Sequence, residues 1–216
     1  MFKYVLFDLD GTLTDSSLGI INGVVYALEK FGISVKNRSE LGCFIGPPLV
    51  DEFMNYAGLS RDDALQAVAY YREFYRVTGI YENTVYSGID DMLNSLKKSG
   101  KKIILATSKP QQFAEIVLNH FNLMQYFDCV VGATFDGKLN YKADVIRVAL
   151  ERSNISDKVN AIMIGDRHHD IEGAKQNNLK SIGVLYGFGD LDELKISGAD
   201  YIAETPEEIL EILINN

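Results

Sequence analysis

The stretch Lys3-Tyr4-Val5-Leu6-Phe7-Asp8-Leu9-Asp10-Gly11-Thr12 decides how the rest of this sequence is interpreted. Residues 3–9 form a short apolar run, rich in β-branched and aromatic residues, which predicts a buried strand. Two acids, Asp8 and Asp10, stand at the end of this run, and Gly11 permits a sharp turn out of it. The sequence therefore predicts a buried strand that places two carboxylates at its carboxyl end.

The residues that follow divide into two parts with different patterns. In residues 15–80 apolar side chains recur at helical spacing, and we find no convincing strand pattern there. From Ser87 onwards amphipathic helices alternate with short strands, predicted at 102–107, 128–131, 161–165, 181–185 and 200–203. Such alternation is typical of a mostly parallel sheet that helices cover on both faces. We predict an α/β fold, with a Rossmann-like parallel sheet core (residues 1–14 and 82–216) and an inserted α-helical cap (residues 15–81).

Composition limits the possible partners and compartments. The chain has 216 residues, 47% of them hydrophobic, which is enough for a large core, and its net charge is -9. An acidic surface repels nucleic-acid polymers and anionic membranes, so we expect neither as a partner. Cys43 and Cys129 lie far apart, and no apolar stretch reaches the roughly 18 residues of a membrane span. We expect a cytoplasmic protein; its oligomeric state cannot be inferred from these features.

Four short segments carry the residues that can do chemistry. They are Asp8–Thr12, Thr107-Ser108, Lys142 at the start of a predicted helix, and Gly165-Asp166 with Asp170. Each lies at, or just beyond, the predicted carboxyl end of a strand. Open α/β sheets bind ligands at that edge. We therefore expect these segments, distant in sequence, to form one site.

The residue types in these segments suit phosphoryl transfer. A carboxylate nucleophile divides a slow phosphate-ester hydrolysis into two easier displacements, but its charge must be neutralised near an anionic phosphate. A hard cation such as Mg²⁺ does this with oxygen ligands, which Asp8 and Asp166 can provide. A second acid such as Asp10 can protonate the leaving oxygen and later activate water. Lys142 and the hydroxyl of Thr107 can bind the phosphoryl oxygens.

The motifs Asp8-Leu9-Asp10-Gly11-Thr12-Leu13, Thr107, Lys142 and Gly165–Asp170 resemble the four signature motifs of the haloacid dehalogenase (HAD) superfamily, in the same order along the chain. The likeness is greatest to its phosphoglycolate phosphatase-like branch, which has a helical cap after the first motif. The resemblance implies that Asp8 is the nucleophile and Asp10 the general acid/base. It also implies that Thr107, Ser108 and Lys142 surround the phosphoryl group.

The resemblance further implies a Mg²⁺ ion held by the Asp8 side chain, the Asp10 backbone carbonyl and Asp166. Asp170 would support this metal through water or orient Lys142. One departure leaves the third motif open. Relatives often have a proline pair after the motif lysine, which this sequence lacks, so Lys138 is a rival to Lys142. Ser108 stands where relatives often have asparagine, and both can hydrogen-bond a carboxylate.

Several other residues admit a functional and a structural interpretation. The stiff segment Gly46-Pro47-Pro48 in the cap could face the substrate or could simply begin a helix. The cap tyrosines Tyr70, Tyr71 and Tyr75 could stack on a nucleobase, but their helical spacing favours packing in the core or at the cap interface. We expect His168 and His169 to be solvated at a helix start, because no third soft metal ligand has suitable spacing.

The sequence thus predicts a Mg²⁺-dependent phosphatase that hydrolyses a small phosphomonoester through an aspartyl-phosphate. The resemblance suggests phosphoglycolate, a sugar phosphate or a nucleoside 5'-monophosphate as its substrate, without choosing among them. One alternative is a phosphotransferase, such as a hexose-phosphate mutase of similar build. A remote alternative is a non-enzymatic phospho-receiver domain, which would lack the helical insert and the second acid.

Overall fold

The computed structural model describes residues 2–215, which separate into two compact units. The first unit runs up to Thr14 and resumes at Val85, and the second is Asp15–Thr84. The strands are β1 (Tyr4–Phe7), β2 (Thr14–Asp15), β3 (Thr84–Val85), β4 (Lys102–Pro110), β5 (Cys129–Ala133), β6 (Ala161–Gly165), β7 (Lys180–Val184) and β8 (Tyr201–Ala203). The α-helices are α1 (Ser17–Lys30), α2 (Leu49–Ala57), α3 (Arg61–Val77), α4 (Ile89–Lys98), α5 (Gln111–His120), α6 (Lys142–Arg152), α7 (His168–Gln176), α8 (Leu191–Ser197) and α9 (Pro206–Asn215).

The first unit is built on a six-stranded parallel sheet in the order β5-β4-β1-β6-β7-β8. The apolar run that opens the sequence is the central strand β1, which pairs with β4 on one side and β6 on the other. Strands buried on both faces have the continuous apolar sequences seen here. The predicted α/β fold with a Rossmann-like sheet is therefore confirmed. Because β4, β1 and β6 are neighbours, their carboxyl ends lie side by side.

Helices α6 and α7 pack against the sheet through an apolar cluster. The cluster joins strand residues to the inner faces of these helices, and its members are Leu6, Ile104, Ala106, Val131, Val145, Ile146, Ala149, Leu150, Ile155, Ala161, Met163, Ala174 and Leu179. Side chains at Val145, Ile146, Ala149 and Leu150 recur at helical spacing and are buried. Packing along this face fixes the position of the first residue of α6, Lys142.

The second unit is helical. It consists of α1, α2 and α3, with short 3-10 turns at Arg38–Phe44 and Gly79–Tyr81. Ser60 begins α3 as an N-cap, and its hydroxyl accepts a hydrogen bond from the Asp63 amide at 3.1 Å. Tyr71 and Tyr75 are buried and stack with their ring centroids 5.2 Å apart. These two tyrosines pack inside the unit, as their helical spacing indicates.

Two local features differ from the sequence-based expectation. Strand β4 continues to Pro110, beyond the predicted end at residue 107, because two extra residues bulge out of its pairing with β5. The short strands β2 and β3 form a separate two-stranded sheet that the sequence did not reveal. Each has two residues, which is too short for an alternating pattern to be recognised. Among the described residues, no helix combines the length and apolar character that crossing a membrane requires.

Shortening one buried side chain of the central strand β1 should test the predicted core. Leu6 is fully buried within the apolar cluster, so Leu6→Ala should lower the free energy of unfolding by about 2–5 kcal/mol, through lost burial and the cavity left behind. Ile196 is 86% exposed, and Ile196→Ala should change that free energy by less than about 0.5 kcal/mol. Urea unfolding of both variants measures this difference. Equal effects of the two substitutions would contradict the placement of β1 at the centre of the core.

Candidate active site

Strand β1 delivers the first pair of carboxylates. The Asp8 amide donates to the Ile164 carbonyl at 2.9 Å, which continues the pairing of β1 with β6 one residue past the strand. The chain then turns, and Gly11 adopts a φ of +82°, a conformation that other residues rarely take. Asp8 is buried, and Asp10 lies two residues further on in the same turn.

Lys142, the first residue of α6, lies at the centre of the site. Its Nζ is 2.7 Å from Asp8 Oδ1 and 2.8 Å from Asp170 Oδ1, and it donates to the Ala106 carbonyl of β4 at 3.2 Å. One buried ammonium thus joins the ends of β1 and β4 to helix α7. By contrast, the Lys138 side chain is 86% exposed and pairs with Asp136 at 3.1 Å. Of the two rival lysines, the structure brings only Lys142 to Asp8.

The segment after β6 supplies Asp166 and Asp170. Asp166 is fully buried, and its Oδ1 accepts a hydrogen bond from the Thr12 hydroxyl at 3.2 Å. Asp170 stands in the first turn of α7, where its Oδ2 accepts from the Arg167 amide at 3.1 Å. Gly165 leaves room for this carboxylate, because a Cβ there would lie 2.1 Å from the Asp170 carboxyl carbon. Asp170 therefore both caps its helix and contacts Lys142.

Thr107 and Ser108 lie near the end of β4, the strand that pairs with β1. Thr107 is 1% exposed, and its Oγ1 accepts a hydrogen bond from the Lys109 amide at 3.2 Å. The hydroxyl proton of Thr107 therefore points away from that bond and can be donated elsewhere. Ser108 is half-buried in the bulge that follows.

Sequence reasoning missed Lys109, whose Nζ lies 2.9 Å from both carboxylate oxygens of Asp10. The two side chains are only 4% and 13% exposed. Lys109 follows the motif residue Thr107 by two positions, and this spacing gave no sequence signal by itself. The direction of the Lys109 side chain depends on the bulge in β4. The site therefore contains two buried lysines, each paired with a different acid of the first motif.

Sequence reasoning also missed the loop after β7. The Phe188 amide donates to Asp166 Oδ2 at 2.8 Å, and the Tyr186 hydroxyl donates to the Thr12 carbonyl at 3.0 Å. A Cβ at Gly187 would lie 2.3 Å from the Gly11 carbonyl oxygen, so the two glycines allow close backbone approach. The available signal was the pair Gly187 and Gly189 directly after a strand.

Burial and charge perturb the acids and the lysine at the centre of the site. Burial raises the pKa of Asp8 to about 6; Lys142 acts in the opposite direction, and Asp170 adds to the rise. Burial and the neighbouring Asp170 and Asp8 carboxylates raise the pKa of Asp166 well above its usual value. Burial would lower the pKa of Lys142, but Asp170 and Asp8 hold it above its ordinary range. Three buried carboxyl groups thus lie near one buried ammonium, that of Lys142.

The donor set suits a hard divalent cation. Asp8, Asp166 and Asp170 offer carboxylate oxygens that all lie within 4.8 Å of one another, and all three residues are buried. Oxygen-only ligands of this kind are those that Mg²⁺ prefers. Burial, and to a lesser degree the neighbouring carboxylates, raise the pKa values of Asp8 and Asp166, and a bound cation would favour their ionised forms. The residues present therefore fit the ion that the motifs imply.

His168 and His169, at the start of α7, are less exposed to solvent than the sequence led us to expect. Both are half-buried, and their ring centroids lie 3.7 Å apart. His168 Nδ1 is 2.7 Å from Glu193 Oε1, which also accepts from Arg167 Nε at 2.9 Å. Partial burial would raise the pKa of Glu193, but the hydrogen bond from the His168 amide at 2.8 Å, together with these two side-chain contacts, lowers it to about 2. His168 is thus anchored to Glu193 of α8, and His169 packs against the His168 ring, so neither histidine is freely solvated.

Gly46, Pro47 and Pro48 lie in the second unit, directly before α2. Gly46 has a φ of +106°, and Pro48 is the N-cap of α2. Locally, this segment therefore begins a helix, which is one of its two predicted roles. Its contact with a substrate stays a prediction.

The chain was compared with known proteins. The sequence profile described as haloacid dehalogenase-like hydrolase matches residues 5–184. A 5'-nucleotidase of Pseudomonas aeruginosa is 44% identical over 194 residues, which cover 90% of this chain and 87% of that protein. The tyrosine-protein kinase PtkA of Mycobacterium tuberculosis is 34% identical over 214 residues, which cover 98% of this chain and 72% of that protein. The crystal structure of a predicted phosphatase from Clostridium acetobutylicum is 49% identical, covers 100% of both chains and superimposes with a TM-score of 0.96.

This chain therefore belongs to the haloacid dehalogenase-like hydrolase family. The resemblance inferred from the four motifs is confirmed, and so is the enzyme class, a phosphoric monoester hydrolase.

A side chain at Gly11 should disturb the site more than one at a comparable turn. A Cβ at Gly11 would lie 2.1 Å from Asp166 Oδ2, whereas Gly100, with a similar φ of +76°, has nothing within 4 Å. Both Gly11→Ala and Gly100→Ala should therefore lose about 1–2 kcal/mol of unfolding free energy from the left-handed backbone. Gly11→Ala should lose a further ~1–3 kcal/mol from the steric clash.

Denaturant unfolding of the two variants without added metal measures this difference. The same loss in both would show that Gly11 and Asp166 are not packed against each other.

Proposed function

We propose that this protein is a Mg²⁺-dependent phosphatase that hydrolyses a small phosphomonoester through a phosphorylated Asp8. The observation that carries the proposal is the buried Lys142 ammonium, 2.7 Å from Asp8 Oδ1, beside a cluster of three carboxylates. A contact of this kind holds the nucleophile ionised and oriented while neutralising part of its charge.

In the first step, an Asp8 carboxylate oxygen attacks the phosphorus and forms an O–P bond. The bond between phosphorus and the leaving oxygen breaks, and the Asp10 carboxyl group gives its proton to that oxygen. Lys142 and the hydroxyl of Thr107 stabilise the negative charge on the phosphoryl oxygens during this transfer. The alcohol leaves, and Asp8 carries the phosphoryl group.

In the second step, the Asp10 carboxylate accepts a proton from a water molecule, whose oxygen attacks the phosphorus. The bond between Asp8 and phosphorus breaks, which releases inorganic phosphate and restores both carboxyl groups to their starting states. Asp10 thus acts first as acid and then as base. Its position two residues after Asp8 in one turn suits both roles.

The cation would be held by the side chains of Asp8 and Asp166 and by the Asp10 backbone carbonyl. When bound, Mg²⁺ supplies positive charge to the phosphoryl oxygens and so permits an anionic nucleophile to approach. Asp170 contacts Lys142 at 2.8 Å, which supports the role of orienting that lysine. The hydrogen bonds from Thr12 and Phe188 to Asp166 fix the orientation of its carboxylate, as holding the cation would require.

The predicted helical cap, residues 15–81, would restrict the site to small phosphorylated metabolites. Nucleoside 5'-monophosphates are the first candidates, because a relative with 44% identity is named a 5'-nucleotidase. Phosphoglycolate and sugar phosphates follow. Gly46, Pro47 and Pro48 would contribute to this choice from the cap.

A second candidate function is transfer of the phosphoryl group to a hydroxyl other than that of water. It is favoured by one relative at 34% identity that is named a tyrosine-protein kinase. Both functions share the first step and differ only in the acceptor of the second. The destination of the phosphoryl group therefore distinguishes them.

Phosphate release from a panel of monoesters tests the proposed activity. We expect release with Mg²⁺, none with EDTA, and a fall of at least about 1,000-fold in Asp8→Asn, because the nucleophile is lost. In isotopically labelled water, hydrolysis places the label in the released phosphate. Loss of substrate without labelled phosphate would favour the transferase. Full activity of Asp8→Asn would rule out the phosphorylated Asp8.

Mg²⁺ should stabilise the folded protein, because it relieves repulsion among buried acids. At 100 times its Kd, the ion should add about 2.7 kcal/mol to the free energy of unfolding. Asp166→Asn should remove this gain, whereas the exposed Asp192→Asn should retain it. Thermal unfolding with and without Mg²⁺ measures the effect. A gain that persists in Asp166→Asn would place the cation elsewhere.

A further inference from the structure

A bulge at the end of β4 determines where Lys109 points. Thr107 pairs with Gly132 and Pro110 pairs with Ala133, so that Ser108 and Lys109 are two extra residues in β4. Gly132 permits this geometry, because a Cβ there would lie 2.6 Å from the Lys109 carbonyl oxygen. Bulges of this kind re-aim side chains next to active sites.

The ammonium of Lys109 contacts both oxygens of the Asp10 carboxylate. Lys109 Nζ is 2.9 Å from Oδ1 and 2.9 Å from Oδ2 of Asp10. Lys109 is only 4% exposed, and a buried ammonium is costly unless an anion accompanies it. The other buried lysine of the site, Lys142, contacts Asp8 and Asp170 instead. The positive charges of the site are thus divided between the two acids of the first motif.

We propose that Lys109 is a positioning residue, which holds the Asp10 carboxyl group in the orientation needed for proton transfer to and from the reacting oxygens. The inference rests on the proposed function, because it presumes that Asp10 is the acid and base. Asp10 stands where the turn at residues 11–13 begins, and its side chain would otherwise sample several rotamers. Contact with a lysine held by the bulge restricts this sampling, and small losses of orientation reduce catalysis strongly.

The proposal predicts an effect that depends on the leaving group. An alkyl phosphate needs a proton on its leaving oxygen, whereas p-nitrophenyl phosphate releases a stable phenolate that needs none. Loss of Asp10 orientation should therefore reduce the turnover of the alkyl ester more than that of the aryl ester. A purely structural disturbance would reduce both alike.

The experiment compares kcat/KM for p-nitrophenyl phosphate with kcat/KM for the best alkyl monoester, at saturating Mg²⁺, because kcat/KM reports the first transfer and excludes the second step that both esters share. We expect Lys109→Met to lower the alkyl-to-aryl ratio by about 10–100-fold, within the contribution typical of general acid–base catalysis. Asp10→Asn should shift the ratio in the same direction and further. Lys109→Arg, which keeps the charge, should recover part of it. KM should change much less than kcat, because Lys109 is assigned no substrate contact.

Lys97→Met is the matched control, since Lys97 also pairs with a carboxylate, Asp128 at 3.3 Å, but is 40% exposed. This variant should leave the ratio unchanged. If Lys109→Met does not fold, Lys109→Gln, which keeps a polar end at similar length, is judged by the same ratio.

Two outcomes would overturn the proposal, and they differ. Suppose that the wild-type protein hydrolyses both esters. A folded Lys109 variant with an unchanged ratio would then refute the positioning role alone. A wild-type protein that hydrolyses neither ester would refute the proposed function and the role of Lys109 with it.

Discussion

The contact of the buried Lys142 ammonium with Asp8 and Asp170 is the interaction on which the site depends. It connects three elements that are distant in sequence: the end of β1, the start of α6 and the first turn of α7. Taking a lysine out of water is unfavourable, and two carboxylates at 2.7 and 2.8 Å offset that cost. Removing either carboxylate would leave the buried ammonium less compensated, so the arrangement fixes Asp8, the proposed nucleophile, relative to α6 and α7.

The placement of charge at this sheet edge follows from the fold. Parallel strands β4, β1 and β6 end side by side, and each end carries a polar group into a largely buried space. Two lysines serve different acids there, because Lys142 enters from a helix and Lys109 from a bulged strand. Because each has its own lysine, Asp8, the proposed nucleophile, and Asp10, the proposed acid/base, do not compete for one ammonium.

Much of this arrangement could be predicted from the sequence. The apolar run before Asp8 and the alternation of strands and helices define the sheet, and the spacing of the motifs brings their residues to one edge. Lys109 and the loop Tyr186–Gly189 could not be predicted in the same way. The direction of Lys109 depends on an irregularity in the pairing of β4 with β5, and no periodic pattern encodes a bulge. The contact of Phe188 with Asp166 depends on the close approach of two glycine turns, at Gly11 and Gly187, that are far apart in the chain.

The burial of three neighbouring acids should also make the folded protein less stable when no cation is bound. Asp8, Asp166 and Asp170 are buried within 4.8 Å of one another, and burial raises the pKa of Asp8 to about 6. An acid whose pKa is higher in the folded state than in the unfolded state lowers stability as the pH rises between these two values. The protein therefore keeps, at neutral pH, a cluster of charges that opposes folding. Such a cluster is retained at functional sites because the energy it costs is recovered when a cation and an anionic substrate bind together.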